Sequence, residues 1–330
     1  MIPFTKVIWE YLYQSGVKVR FMLRFEREQK VYKIGEVQVG GQPGQLPTLL
    51  VGNVFYKGMP EVTDHKSGRF DRVKVSKWIE TAEELAERLN MPHIIDVTAM
   101  FPEAMEKYVL FIVERTEKPL MVDGASPEVR IAGIKLVNEL GLNDKVIFNA
   151  FSLETTNEEI EILKECNVKA CVLLAENQFD FSPEGRVLAL KGFEEQPSLL
   201  ERAEKAGMEK FLVDTLVFDV PSIAYAAEAI KLVKEGLGLP AGCSPANATF
   251  EWRSKQPEYL KRRFAAYNAS AHSLIQYYGA DFILYGPIKQ AGNIIPTCAM
   301  NDAIIAYYMM RKFKIKPLTE KHPIYKIFSL

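Results

Sequence analysis

Residues 93–150 read HIIDVTAMFPEAMEKYVLFIVERTEKPLMVDGASPEVRIAGIKLVNELGLNDKVIFNA, and this stretch decides the fold. Three short apolar runs, 93–97, 120–123 and 146–149, alternate with two longer segments that carry helix start signals. A short, continuously apolar run bounded by turn or cap residues marks a strand buried on both faces, as in a parallel sheet. Between the runs, Pro102 follows Phe101 and opens PEAMEKYVLFIVER, and Pro127 follows Ser126. Proline suits the first helical position because its missing N–H would have no helical partner there, and serine suits the cap before it.

The same unit recurs outward in both directions. Further strands are expected over 48–55, 170–175, 210–214, 239–243 and 281–285. Thr156 with Glu159 forms a capping box ahead of IEILKEC. Ile223, Ala227, Ile230 and Val233 make an apolar helical stripe that ends at Gly236 and Gly238. Upstream, KVYKIGEVQVGGQPG alternates around Gly35 and reads as a small β-hairpin closed by a glycine and proline turn. Eight strand–helix units match an α/β (β/α)8 (TIM) barrel, typically about 250 residues plus insertions. A doubly wound open sheet competes less well, because no strand is followed by a GxGxxG phosphate loop. No composition break marks a second domain, so the barrel is expected to span 22–330. Residues 1–21 precede it as a short amphipathic helical extension, apolar at Phe4, Val7, Ile8, Tyr11 and Leu12.

Composition narrows the function classes. The 330 residues are 48% hydrophobic and 25% charged, ordinary for a globular protein. Lys+Arg 41 against Asp+Glu 42 leaves a net charge of -1 and gives nucleic acid no electrostatic footprint. Four cysteines without paired spacing fit a reducing compartment. No apolar run reaches the roughly 20 residues of a membrane helix, and Glu10 interrupts any signal-peptide core. A cytoplasmic location is expected.

In such barrels the active site lies at the C-terminal ends of the strands. Here the runs end at Asp96, Asp123, Asn149 and Asp214, with Asn247 following the run 239–243, and the loop after 170–175 adds Glu176 and Asn177. Any one of these is open to reading as a turn former or helix cap. As a set they suit one task. Carboxylates accept paired hydrogen bonds from an amidine-like edge, and asparagine both donates and accepts. A pterin or guanine-like ring, with its 2-amino and N3–H groups, presents such an edge. The set pairs no nucleophile with a base, and its asparagines would leave a divalent ion under-compensated. Neither the scattered His65, His93, His272 and His322 nor Cys166, Cys171, Cys243 and Cys298 suggest a zinc site. Cys243 at a strand end reads as a small buried hydrophobe, and the run Lys261, Arg262, Arg263 as a solvated helix face.

The strings FEREQKVYKIG, GGQPGQLPT, PEAMEKY, SPEVRIAG, EGR, VDT with DVPSI, and LPAGCSPANA resemble the H-subunit family of tetrahydromethanopterin S-methyltransferase, from about Met22 to the C-terminus. The resemblance implies a pterin-binding barrel that takes the N5-methyl group of a methyl-tetrahydropterin, methyl-tetrahydromethanopterin or methyl-tetrahydrofolate. It delivers that group to the cob(I)amide carried by a corrinoid protein partner. It further implies a homodimer, with membrane contact only indirectly through a complex. Asp96, Asp123, Asn149, Asp214 and Asn247 then stand where pterin-contacting residues stand, with Asn247 and Asp214 the catalytic candidates. Gly124, Ala150 and Ser244 depart from the family pattern, which has Ser, Ser and Gly there. Two other readings share the barrel: a dihydropteroate-synthase-like enzyme and a non-catalytic protein that only binds a corrinoid protein.

Overall fold

The computed structural model describes residues 23–192 and 197–328. Twelve strands occur among them: β1 Val31–Ile34, β2 Val37–Gly40, β3 Leu49–Val54, β4 Val62–Asp64, β5 Arg69–Phe70, β6 His93–Ala99, β7 Leu120–Gly124, β8 Val146–Phe151, β9 Ala170–Leu174, β10 Lys210–Asp214, β11 Ala241–Cys243 and β12 Phe282–Pro287. Eight of them, β3 and β6 to β12, form a closed parallel barrel in which β12 returns to pair with β3. Closure excludes the doubly wound alternative, and each of the eight overlaps a run that the sequence marks.

Strand alternation explains the two-layered core. Leu49, Val51, Ile94, Met121, Ile147, Val172 and Leu212 fill the barrel interior, where they meet Ile34 and Val39 of the β1–β2 hairpin. Their neighbours Leu50, Ile95, Val122, Phe148, Cys171, Val213 and Ile283 join a second layer beneath the helices. Gly35 of the hairpin turn lies against Pro119 and Lys145, which precede β7 and β8. The hairpin therefore plugs the N-terminal end of the barrel and leaves the opposite end open.

Helices follow the strands as their start signals specify. Pro102–Val113 and Pro127–Glu139 each begin on their proline. Thr156 and Glu159 form both bonds of the capping box on the helix Asn157–Glu165. The stripe Ile223, Ala227, Ile230 and Val233 is buried on the helix Ser222–Leu237, which stops at Gly238 with φ of 68°. A β-carbon there would meet Glu28 O at 2.3 Å, so only glycine fits.

Several details differ from the sequence reading. Ser126 precedes its helix without a side-chain cap bond; its hydroxyl donates to Glu128 instead. β11 starts later than expected, since Pro240 has no N–H to give the ladder. β12 runs on to Pro287 through a register shift between Leu284 and Gly286, where Gly286 takes φ of +77°. The short β4–β5 hairpin, in the connection after β3, has no counterpart among the expected elements. Its charged, brief strands carry little pattern, and Phe70 anchors it beside Phe55, Tyr108 and Phe111. The helix Pro245–Ser254, which carries Asn247, has no start signal named among the expected elements. The extension over 1–21 lies outside the described residues.

Candidate active site at the carboxyl ends of the strands

Strand register places the polar residues side by side. Asn53 stands opposite Asp96 between β3 and β6, Thr98 opposite Asp123 between β6 and β7, and Asp123 opposite Asn149 between β7 and β8. All three pairs sit at the open end, so neighbouring strands deliver adjacent side chains to one surface. A cavity of about 530 Å³ opens there, a size suited to a small heterocyclic ligand. Asp96, Asp123, Asn149, Asp214 and Asn247 all line it, together with Asn53, Tyr56, Thr98, Ser244 and Phe250.

The side chains form a connected network. Asn53 Nδ2 donates to Asp96 Oδ2 at 2.7 Å and also to Thr98 Oγ1. Thr98 Oγ1 donates to Asp123 Oδ2 at 3.4 Å, and Asn149 Nδ2 approaches Asp96 Oδ1 at 3.4 Å. On the other side, Leu216 N–H donates to Asp214 Oδ1 at 2.7 Å. Ser244 Oγ donates to Asn247 Oδ1 at 3.2 Å, which leaves Asn247 Nδ2 as a donor at the exposed rim.

Burial sets the electrostatics. Asp96 is only 2% exposed, and burial together with the like charge of Asp123 holds its carboxyl well above the usual range, against the donors Asn53 and Asn149. Burial pushes Asp123 up to about 6, opposed by the Thr98 hydroxyl and the Arg130 charge. Burial likewise pushes Asp214 up to about 6, opposed by the Leu216 N–H and Arg186. Burial thus raises the proton affinity of all three carboxyls, and Asp123 and Asp214 are mostly ionised near neutral pH.

Other side chains singled out in the sequence do not join this cavity. Asn177 is buried as a loop anchor, donating to Gly185 O and accepting from Phe179 N and Asp180 N. Burial raises the Cys243 thiol well above its ordinary value, which denies it thiolate character. Among the described residues, no group of three or more His, Cys, Asp or Glu is arranged to hold a metal ion. Asn53, Thr98 and Arg186 escape the sequence reading. Asn53 lies inside the apolar run 48–55, where its one signal is being the lone amide in a buried strand.

Fold and cavity together define the class: a (β/α)8 barrel with carboxylates and amides massed at the carboxyl ends of its strands. The solved structures bear out the fold. Dihydropteroate synthase from Xanthomonas albilineans, in complex with indole-2-carboxylic acid and 6-chloroguanine, aligns with a TM-score of 0.55 at 14% identity, covering 84% of this chain and 98% of that one. Yersinia pestis dihydropteroate synthase in a sulfonamide complex aligns with a TM-score of 0.56 at 11% identity, covering 83% and 98%. Sequence comparison goes further. The family profile of the tetrahydromethanopterin S-methyltransferase MtrH subunit matches residues 27–318. The tetrahydromethanopterin S-methyltransferase H subunit of Methanothermobacter thermautotrophicus is 33% identical over 315 residues, 93% of this chain and 100% of that protein. Its counterpart from Methanopyrus kandleri is 34% identical over 312 residues, 90% of this chain and 97% of that protein. The chain belongs to the MtrH family and is a methyltransferase. Among the described residues, no helix is long and apolar enough to cross a membrane.

Proposed function

We propose that the protein takes the N5-methyl group of a methyl-tetrahydropterin and delivers it to the cob(I)amide of a corrinoid protein. The observation that carries this reading is the convergence of Asp96, Asp123, Asn149, Asp214 and Asn247 on one cavity, in a chain of a methyltransferase family. In this reading Asp123 and Asp214 accept hydrogen bonds from the 2-amino and N3–H edge of the pterin, for which ionised carboxylates are suited. Asn149 fixes the orientation of the ring, and Asp96 braces Asn53 and Asn149 by accepting from both amides. The tetrahydropterin is the substrate, and the cobamide arrives on the partner as the nucleophile.

The chemistry that falls to this chain is at N5. When the C–N bond breaks, its electron pair stays on N5, a poor leaving group unless a proton or hydrogen bond meets it. Asn247 Nδ2, left to the rim because Oδ1 is engaged by Ser244, donates to that nitrogen as charge develops. Asp214, with its carboxyl pushed up to about 6, accepts from the pterin edge as a carboxylate, and the proton that N5 takes up comes from solvent water at the open end. The open C-terminal end of the barrel suits the approach of a folded corrinoid domain. We infer a cytoplasmic homodimer that meets a membrane only through a complex. Sedimentation of the purified protein tests the dimer, and a single monomeric species overturns it.

Calorimetric titration with methyl-tetrahydromethanopterin, and in parallel with methyl-tetrahydrofolate, tests the pterin assignment. Tight binding of one identifies the donor. Binding of neither overturns the reading and leaves a protein that only docks a corrinoid partner.

A further inference from the structure

The helix Pro183–Lys191 buries a guanidinium outside the set above. Arg186 is 1% exposed, and its Nη1 donates to Thr215 O at 2.6 Å and to Leu216 O at 3.0 Å. Its Nε and Nη2 have no hydrogen-bond partner among the described residues. Burying a charged group without full pairing is costly, and a neutral donor could hold two carbonyls at less expense. The cost implies a use for the charge itself.

The residue it clamps is the one that shapes Asp214. Leu216 sits in the left-handed region with φ of 62°, and in that conformation its N–H turns back to Asp214 Oδ1 at 2.7 Å. Thr215 is fixed as well, its hydroxyl donating to Ala226 O at 3.0 Å. We propose that Arg186 is the positioning residue for Asp214: it pins the Thr215–Leu216 backbone whose Leu216 N–H aims the carboxylate. Arg186 attracts Asp214, and Cys243 is the other titratable group facing the pair. The Phe218 ring, 5.8 Å from the guanidinium, helps close the site from solvent. The proposal rests on the reading of Asp214 as a pterin contact only for its functional consequence; the geometric claim stands apart from it.

The test follows the Asp214 carboxyl by carbon-detected NMR, assigned with Asp214→Asn, in the intact protein and in Arg186→Met and Arg186→Lys. The expected result is a tenfold or larger rise in the proton affinity of Asp214 in Arg186→Met, with Arg186→Lys between it and the native protein. Methyl-tetrahydropterin titration of the same proteins should show tenfold or greater weakening in Arg186→Met at pH 7.5 and partial rescue in Arg186→Lys. An unchanged Asp214 titration in a folded Arg186→Met overturns the proposal. Failure of both variants to fold would make Arg186 a determinant of the fold alone and overturn it too. If the native protein binds no methyl-tetrahydropterin, the proposed function fails while the NMR result still decides the role of Arg186.

Discussion

Asn247 is the residue on which the proposed chemistry turns. Asn247→Ala should lower turnover by a factor of about ten to a thousand, the range for losing one donor to developing charge, while pterin binding weakens but stays measurable. Steady-state kinetics with a corrinoid acceptor, paired with titration, checks the split; native turnover in the variant removes Asn247 from the mechanism. Asp123 and Asp214, both pushed up to about 6, set a pH dependence. Since the bound edge needs ionised acceptors, affinity should rise through pH 6, level off above pH 7 and fall below pH 5. Stability should move the opposite way. The Asp123 proton affinity is raised on folding, so its contribution is full below the unfolded value near 3.8 and lost as pH rises through about 6. Asp123→Asn should therefore gain about 1 to 3 kcal/mol over the native protein at pH 7.5 and nothing at pH 3.5, measured by urea unfolding. Equal effects at both pH values would show that the carboxyl is not strained by burial. Asp96, Asp123, Asn149 and Asp214 are legible in the sequence because each closes an apolar run, and Asn247 because it follows the next such run, on the helix Pro245–Ser254. Thr98 is not, since it falls beyond the run it extends, and Arg186 is not, since a helical arginine normally signals solvent.

At the scale of elements, one residue ties a cap to the site. Glu159 is buried; its Oε2 closes the capping box by accepting from Thr156 N at 2.9 Å, and its Oε1 accepts from Arg130 Nε at 2.7 Å. Arg130 in turn holds Gly124 O at 2.9 Å beside Asp123. Glu159→Ala should cost about 3 kcal/mol, because it strands a partly buried guanidinium as well as a cap. Thermal or urea unfolding checks this, and a loss below about 1 kcal/mol would reduce the pair to a surface contact. The capping box is plain in the sequence because both partners are three residues apart on one turn. The β4–β5 hairpin is not, because aromatic packing of Phe70 from a distant helix holds it rather than its own pattern. The bulge at Gly286 is hidden for a similar reason: the close approach of Ala246, whose Cβ lies 2.7 Å from where a β-carbon would stand, is a tertiary event.

The whole molecule divides its two ends by function. The β1–β2 hairpin seals one end with Ile34 and Val39, and the polar side chains gather at the other. That division is legible as repetition, apolar runs that close on Asp or Asn one after another, although the sequence does not show which endings touch. Strand register supplies that, setting Asn53 by Asp96 and Asp123 by Asn149. The measurement that bears most directly on the central proposal is calorimetric titration of the intact protein and of Asp123→Asn with methyl-tetrahydromethanopterin at pH 7.5. The expected result is one site per chain in the native protein and affinity weakened about ten- to a hundredfold in the variant, as for loss of a charged hydrogen bond. No binding by the native protein of this pterin or of methyl-tetrahydrofolate, or equal affinity in native protein and variant, would contradict the pterin-binding cavity and the methyl transfer built on it.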